Sequence, residues 1–195
     1  MHLIAAIILA ASLATAPAPA TAPAPAKAPA SAAESDPRWE FYTADRTYYR
    51  SPWYRRAHRI MIPYGCTRAP YYDPDPRCAK NRGFHHGIDI AMPCGTRLRS
   101  DRWGWVVSND ALGPAYGVNP IRLRNKKHRF DIVIGHTRKV FVRPGDRIRP
   151  GTLLGRASDS AAPDGCHLHF EKRALAGGLA TSTTPRKMLR LRPKA

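Results

Sequence analysis

The sequence predicts an all-β, β-rich domain: an antiparallel sandwich or barrel-like core with few helices. Two observations carry this. From Gly83 onward, short β-like runs alternate with Gly, Pro, Asn and Asp punctuation. No stretch holds a helical apolar period over three turns, with only a weak one near Pro185 to Leu191. Many short strands with frequent turns favour sheets packed on one another. A chain of 195 residues accommodates one domain with a real core, plus extensions.

Residues 1–20 read as a secretory signal peptide. The apolar run Leu3 to Ala16 is too short to cross a bilayer as a helix of ~20 residues. Two features count against cleavage: no Lys or Arg precedes the run, and Pro17 follows the Ala14-Thr15-Ala16 site. Ala18-Pro19-Ala20 is the next candidate site, and an uncleaved anchor is the alternative. No second apolar run of membrane length follows. Residues 21–37 alternate Ala and Pro, cannot build a core, and read as an extended linker. Residues 38–69 are aromatic and basic without clear periodicity, an arm expected to pack onto the domain. The domain itself is expected over 70–182, with a basic tail at 183–195.

Candidate strands follow in order as GIDIAM, RLRS, WGWVVSN, IRLRN, FDIVIGH, KVFV, RIR, LLGRAS and HLHFEKR. VRPGDRIRPGTLLG reads as two strands joined by tight turns at Pro144-Gly145 and Pro150-Gly151.

The formal charge is +18. The first 37 residues carry only Lys27, Glu34 and Asp36, a net −1, so the remainder holds +19. Such a chain adheres to polyanions. Export argues against nucleic acid as the physiological partner, and no nucleic-acid-binding motif is present. An even count of four cysteines in an exported chain favours disulfides. Cys66 with Cys78 is the local pair, which leaves Cys94 with Cys166.

Three clusters could do chemistry. In GCHLHFEKR, His167 and His169 share one strand face while Leu168 and Phe170 take the other, with Cα atoms of the two histidines ~6.6 Å apart. In GFHHGIDIAMPCGT, His85 and Asp89 also fall on one face, but ~13 Å apart if fully extended. Gly87 between them permits a bend that draws them together. In DIVIGHTRK, His136 ends an apolar strand, where catalytic groups commonly sit. Each cluster alone is weak. Together they offer the one carboxylate and two imidazoles that a catalytic zinc takes when its fourth position is left to water. Two further histidines then remain to act on that water.

HHGIDIAMPCGT, GHT, VRPGDRIRPGTLLG and CHLHFEKR, in this order, resemble the lysostaphin-type (LytM-like) zinc metallopeptidases of bacterial cell walls. The resemblance covers about Gly83 to Arg173. It implies the family's fold, a duplicated hybrid motif, and one zinc per chain held by His85, Asp89 and His169. His136 and His167 would be the catalytic histidines that bind no metal. The implied reaction is hydrolysis of peptide bonds in peptidoglycan, in the periplasm or cell wall, by a monomer whose charge also engages anionic wall polymers. The alternative is a non-catalytic wall-binding or amidase-regulating module of the same family. Because all five residues are present, activity is expected. Asp89 and His169 would share one ion, so Cys94 and Cys166 should run close enough to bond. Glu171, an even step past His169, could support a ligand. His86 would point away from the ion. The stretch ALGPAYGVNPIRLRNKKHRF departs from the family pattern, which bears on substrate choice more than on chemistry.

Overall fold

The computed structural model describes residues 35–194. The signal-peptide reading of 1–20 and residues 21–34 of the linker lie outside the described residues. Among the described residues there are fourteen strands. They are β1 (Tyr48–Ser51), β2 (Tyr54–Ile62), β3 (Gly65–Thr67), β4 (Gly83–His85), β5 (Ile88–Ala91), β6 (Arg97–Arg99) and β7 (Gly104–Val107). The remainder are β8 (Ile121–Asn125), β9 (Phe130–Gly135), β10 (Thr137–Arg138), β11 (Arg147–Ile148), β12 (Leu153–Ala157), β13 (His167–Ala174) and β14 (Arg192–Pro193). One short helix, α1, spans Arg186–Leu189, where the sequence carries its weak helical period.

The all-β expectation holds. A nine-stranded antiparallel sheet runs β11-β7-β8-β9-β13-β5-β2-β1-β14, beside a three-stranded sheet β10-β12-β6 and the hairpin β3-β4. The main hydrophobic cluster joins the two larger sheets: Leu98 and Leu154 of the three-stranded sheet pack with Ile90, Leu123, Ile132, Ile134, Leu168 and Phe170 of the nine-stranded one. Strand β13 shows why the site sits where it does. Leu168 and Phe170 point into the core, and Phe170 meets Trp53 edge-on at 4.7 Å between ring centroids. Strand alternation therefore turns His167, His169 and Glu171 to the opposite face.

Three readings of the sequence change. The 38–69 stretch does more than pack onto the domain. It supplies β1, β2 and β3, and β2 pairs directly with β5. Its Trp53, Tyr54, Ile60, Met61 and Ile62 are almost wholly buried. The basic tail is likewise built in: Leu189 is fully buried, Trp53 donates to the Met188 carbonyl at 3.0 Å, and β14 pairs with β1. KVFV forms no strand beyond Arg138, because Lys139 takes a left-handed φ of 49° that ends β10. The two strands read in VRPGDRIRPGTLLG exist as β11 and β12, but they join different sheets. β11 pairs with β7, and β12 pairs with β6 and β10.

Candidate metal centre

Register brings the three sequence clusters together. On β13, His169 lies opposite Asp89 of β5 on one side and opposite Gly135 of β9 on the other. Cross-strand neighbours of this kind stand ~5 Å apart, so the aspartate and the histidine meet directly. His85 reaches them because the chain breaks between β4 and β5 at His86 and Gly87. Only glycine fits at Gly87: a Cβ there would lie 2.8 Å from the Phe170 carbonyl oxygen and 2.9 Å from the His169 ring. The bend replaces the ~13 Å of an extended strand, and the His85 and Asp89 side chains approach to 3.4 Å.

Three atoms converge. His169 Nδ1 is 2.8 Å from Asp89 Oδ1 and 3.2 Å from His85 Nε2, and the latter is 3.4 Å from Asp89 Oδ1. The other ring nitrogen of each histidine faces an acceptor. His85 Nδ1 donates to the Pro63 carbonyl at 3.2 Å, and His169 Nε2 donates to Glu171 Oε1 at 2.9 Å. With those nitrogens so engaged, the two that face Asp89 are the ones that would turn lone pairs to a metal ion. Three electron-rich atoms so close together need a cation between them. Zinc bonds of ~2.0–2.1 Å at tetrahedral angles place ligand atoms ~3.3 Å apart, which matches the spacing here. Electrostatics call for positive charge at this point. Burial opposes a charged His169, but Asp89 and Glu171 outweigh it and push the ring up to about 10, so a bound metal ion would take the place of the proton between His169 and Asp89. Burial would raise Asp89, yet His85, His167 and His169 hold it well below the usual carboxylate range. The donor set fits a zinc ion.

Two more imidazoles flank this cluster. His136 follows β9 in a left-handed conformation, φ 51°, a sparsely populated state for a side-chain-bearing residue. Its backbone is pinned on both sides, its N–H donating to the Tyr116 carbonyl and its C=O accepting from Ser158. Its Nδ1 donates to the Ser160 carbonyl at 2.7 Å. His167 Nδ1 donates to the Gly165 carbonyl at 2.9 Å, and its buried Nε2, 3.6 Å from Asp89 Oδ1, has no hydrogen-bond partner among the described residues. The two rings meet at 4.4 Å between centroids. Burial, with His167 and His169 nearby, pushes His136 down to about 3.

All five residues singled out in the sequence are thus in one place. His86 is not among them: it bonds Ser182 Oγ at 2.7 Å, outside the cluster. Glu171 stands where the sequence suggested a supporting residue, while its partners Arg173 and Tyr116, and Asp164, escaped sequence reading. Glu171 is fixed by Arg173 at 2.6 Å and Tyr116 at 2.7 Å, and Arg173 also donates to the Tyr116 hydroxyl. Burial would raise Glu171, but the His169 hydrogen bond and Arg173 bring it down to about 2, so it is ionised. Asp164, its carboxyl pushed up by burial, lies 3.5 Å from His167 Nδ1. Tyr116 comes from the stretch that departs from the family pattern, where no periodicity pointed to it. The cysteines pair as Cys66–Cys78 and Cys94–Cys166, with Cα separations of 5.5 and 5.2 Å.

The sequence profile of Peptidase family M23 matches residues 83–181, just over half of the chain and inclusive of every residue of this cluster. The chain belongs to peptidase family M23. Among relatives, the glycyl-glycine endopeptidase ALE-1 of Staphylococcus capitis is 29% identical over 120 residues, 61% of this chain. An uncharacterized metalloprotease of Buchnera aphidicola is 27% identical over 94 residues, 47% of this chain. The matches span only 32% and 24% of those two proteins' own lengths. Among solved structures, the catalytic domain of the antimicrobial peptidase lysostaphin from Staphylococcus simulans superposes with a TM-score of 0.55 at 23% identity, covering 68% of this chain and 92% of that one. LytU superposes with a TM-score of 0.56 at 24% identity, over 68% and 85% of the two chains. At these identities the likeness concerns the M23 fold.

Proposed function

We propose that this chain is a zinc-dependent endopeptidase that hydrolyses peptide bonds in bacterial cell-wall peptidoglycan, with His85, Asp89 and His169 holding one zinc. The observation that carries the reading is the convergence of two imidazole nitrogens and a carboxylate oxygen within 3.4 Å of one another, beside the Nε2 of His167, which has no partner among the described residues. M23 membership supports the peptidase class. The glycyl-glycine endopeptidase activity named for the Staphylococcus capitis relative supports a wall cross-link peptide as substrate.

Zinc at this point would supply Lewis acidity for the scissile carbonyl and would acidify a water. The proton falls to the chain's own side chains. His136 and His167 each spend Nδ1–H on a main-chain carbonyl, so each keeps its Nε2 lone pair for the substrate side. As the water oxygen bonds to the carbonyl carbon, one of these Nε2 atoms takes its proton. As the C–N bond breaks, that proton passes to the departing amine nitrogen. Between those two transfers the imidazolium offsets the negative charge on the former carbonyl oxygen. Glu171 holds His169 in the tautomer and orientation that point Nδ1 inward. One chain supplies the whole site, so a monomer suffices. The reading places the protein in the cell envelope, in the periplasm or wall, where its charge draws it to anionic polymers.

Zymography against murein, with and without a chelator, tests the proposal alongside metal analysis. Clearing that the chelator abolishes and zinc restores is expected. Stoichiometric zinc without clearing would make the chain a binding module of the same family, and absence of zinc would overturn both readings. Mass spectrometry of released muropeptides then names the bond.

A further inference from the structure

At the far end of β9 from His136 lies a second concave feature, a groove of about 1200 Å³. β9 runs from Phe130 at the groove to Gly135 beside His136, about 16 Å at ~3.3 Å per residue. The groove contains a cross-strand row: Arg147 of β11 opposes Trp105 of β7, which opposes Arg124 of β8. Trp103 and Trp105 are 55% and 46% exposed. The Arg147 guanidinium lies 5.5 and 6.0 Å from their ring centroids. Neighbouring Val106 fills the core, so neither indole is needed there. Two adjacent exposed tryptophans are a large apolar surface to leave in water without a partner.

The rim of the groove is strongly basic. Lys126, Lys127 and Arg129 of the β8–β9 turn are all exposed, and Lys172 lines the same space. Among the described residues none of these four cations is ion-paired, whereas Arg124 is committed to Asp131 at 2.8 Å. The one acidic lining residue, Asp101, is engaged by Arg190 at 3.2 Å.

We propose that this groove binds an anionic glycan, a saccharide chain carrying carboxylate or phosphate groups. Sugar rings present C–H faces that complement the negative face of an indole, and the lysine and arginine groups pair with the anions. The choice of a glycan over single-stranded nucleic acid, which also stacks on aromatics, rests on the wall-facing reading above. The binding itself requires no turnover. The groove would hold a wall strand while a peptide reaches the metal centre on another part of the sheet.

Titration of the full chain with oligogalacturonate tests this, with uncharged dextran, polyphosphate and a single-stranded oligothymidylate as comparison probes. Oligogalacturonate is expected to bind most tightly and to weaken with added salt, as exposed charges are screened within ~8 Å at physiological ionic strength. Trp105→Ala and the double variant Lys126→Ser/Lys127→Ser should each weaken it about tenfold or more, a change of about 1.4 kcal/mol. Zinc content should be unaltered in both, because neither change touches the metal centre. Trp103→Ala provides a second aromatic variant should Trp105→Ala lower the melting temperature. Oligogalacturonate binding unchanged in both aromatic variants would overturn the proposal, as would tighter binding of polyphosphate or oligothymidylate. Loss of clearing in the unaltered chain would instead sink the hydrolase reading and leave this result standing on its own.

Discussion

His169 Nε2 donates to Glu171 Oε1 at 2.9 Å, one even step along the same strand face. That single bond decides which nitrogen of His169 faces Asp89. Glu171 is in turn fixed by Arg173 and Tyr116, so the orientation of the inner ring is set by a buried ionic network reaching four residues along β13. Removing its charge should loosen the metal without unfolding the sheet. In Glu171→Gln, zinc affinity measured by chelator competition should fall about 10-fold to 100-fold, the usual effect of losing such a supporting partner. Unchanged affinity would show that Glu171 is structural only.

The histidines should separate by role. His169→Ala should lose both zinc and activity. His167→Ala and His136→Ala should keep near-stoichiometric zinc and lose activity by about 10²-fold or more, as expected for groups that move a proton or stabilise charge. Metal analysis with murein hydrolysis on the three purified variants checks this. Zinc lost from His167→Ala and kept in His169→Ala would reverse the assignment.

His58 of β2 predicts an acid-sensitive fold independent of the metal. Its ring is buried against Tyr54 at 5.4 Å with Nε2 unpartnered. Burial, and then the charge of Arg56, push it down to about 4. The unfolded chain binds a proton below about pH 6.5 that the folded chain refuses. Stability is therefore complete above about 6.5 and falls as pH drops towards 4, by about 3 kcal/mol. Urea unfolding at pH 7 and pH 4.5 should show a smaller loss in His58→Phe than in the unaltered chain. Equal losses would assign the acid sensitivity elsewhere.

The Cys94–Cys166 bond closes 72 residues and ties the Asp89 segment to the start of β13. The chain-entropy account gives about 4 kcal/mol for a loop of that length. Cys94→Ala/Cys166→Ala should lower the urea midpoint accordingly, and non-reducing peptide mapping should recover the linked peptide. Two cysteines that alkylate freely in the native chain would refute the pairing.

Much of this was legible in the sequence. Period-two alternation in HLHFEKR settles which histidines share a face, because side-chain direction along a strand is a local property. The even spacing of His85 and Asp89, with Gly87 between, marked a bend for the same reason. What spacing could not state is that the bend is obligatory. That follows from the Phe170 carbonyl and the His169 ring, which belong to a strand more than eighty residues away and leave no room for a Cβ.

The remainder was decided by tertiary structure. The 38–69 stretch shows no clean alternation because β2 is buried on both faces near its end, where Ile60, Met61 and Ile62 all lie inside. Its arginines hide the pattern at the other end. Leu189 sits in a basic tail that reads as solvated, yet it fills the core because the tail's backbone closes the sheet edge against β1. Tyr116 joins the centre through Glu171, through its carbonyl to the His136 N–H and through its ring against His169, contacts between segments 20 to 55 residues apart. Donor types and the faces they occupy are readable from the chain, since composition and strand period are local. Which nitrogen each histidine turns inward is not, because that depends on acceptors brought from distant strands.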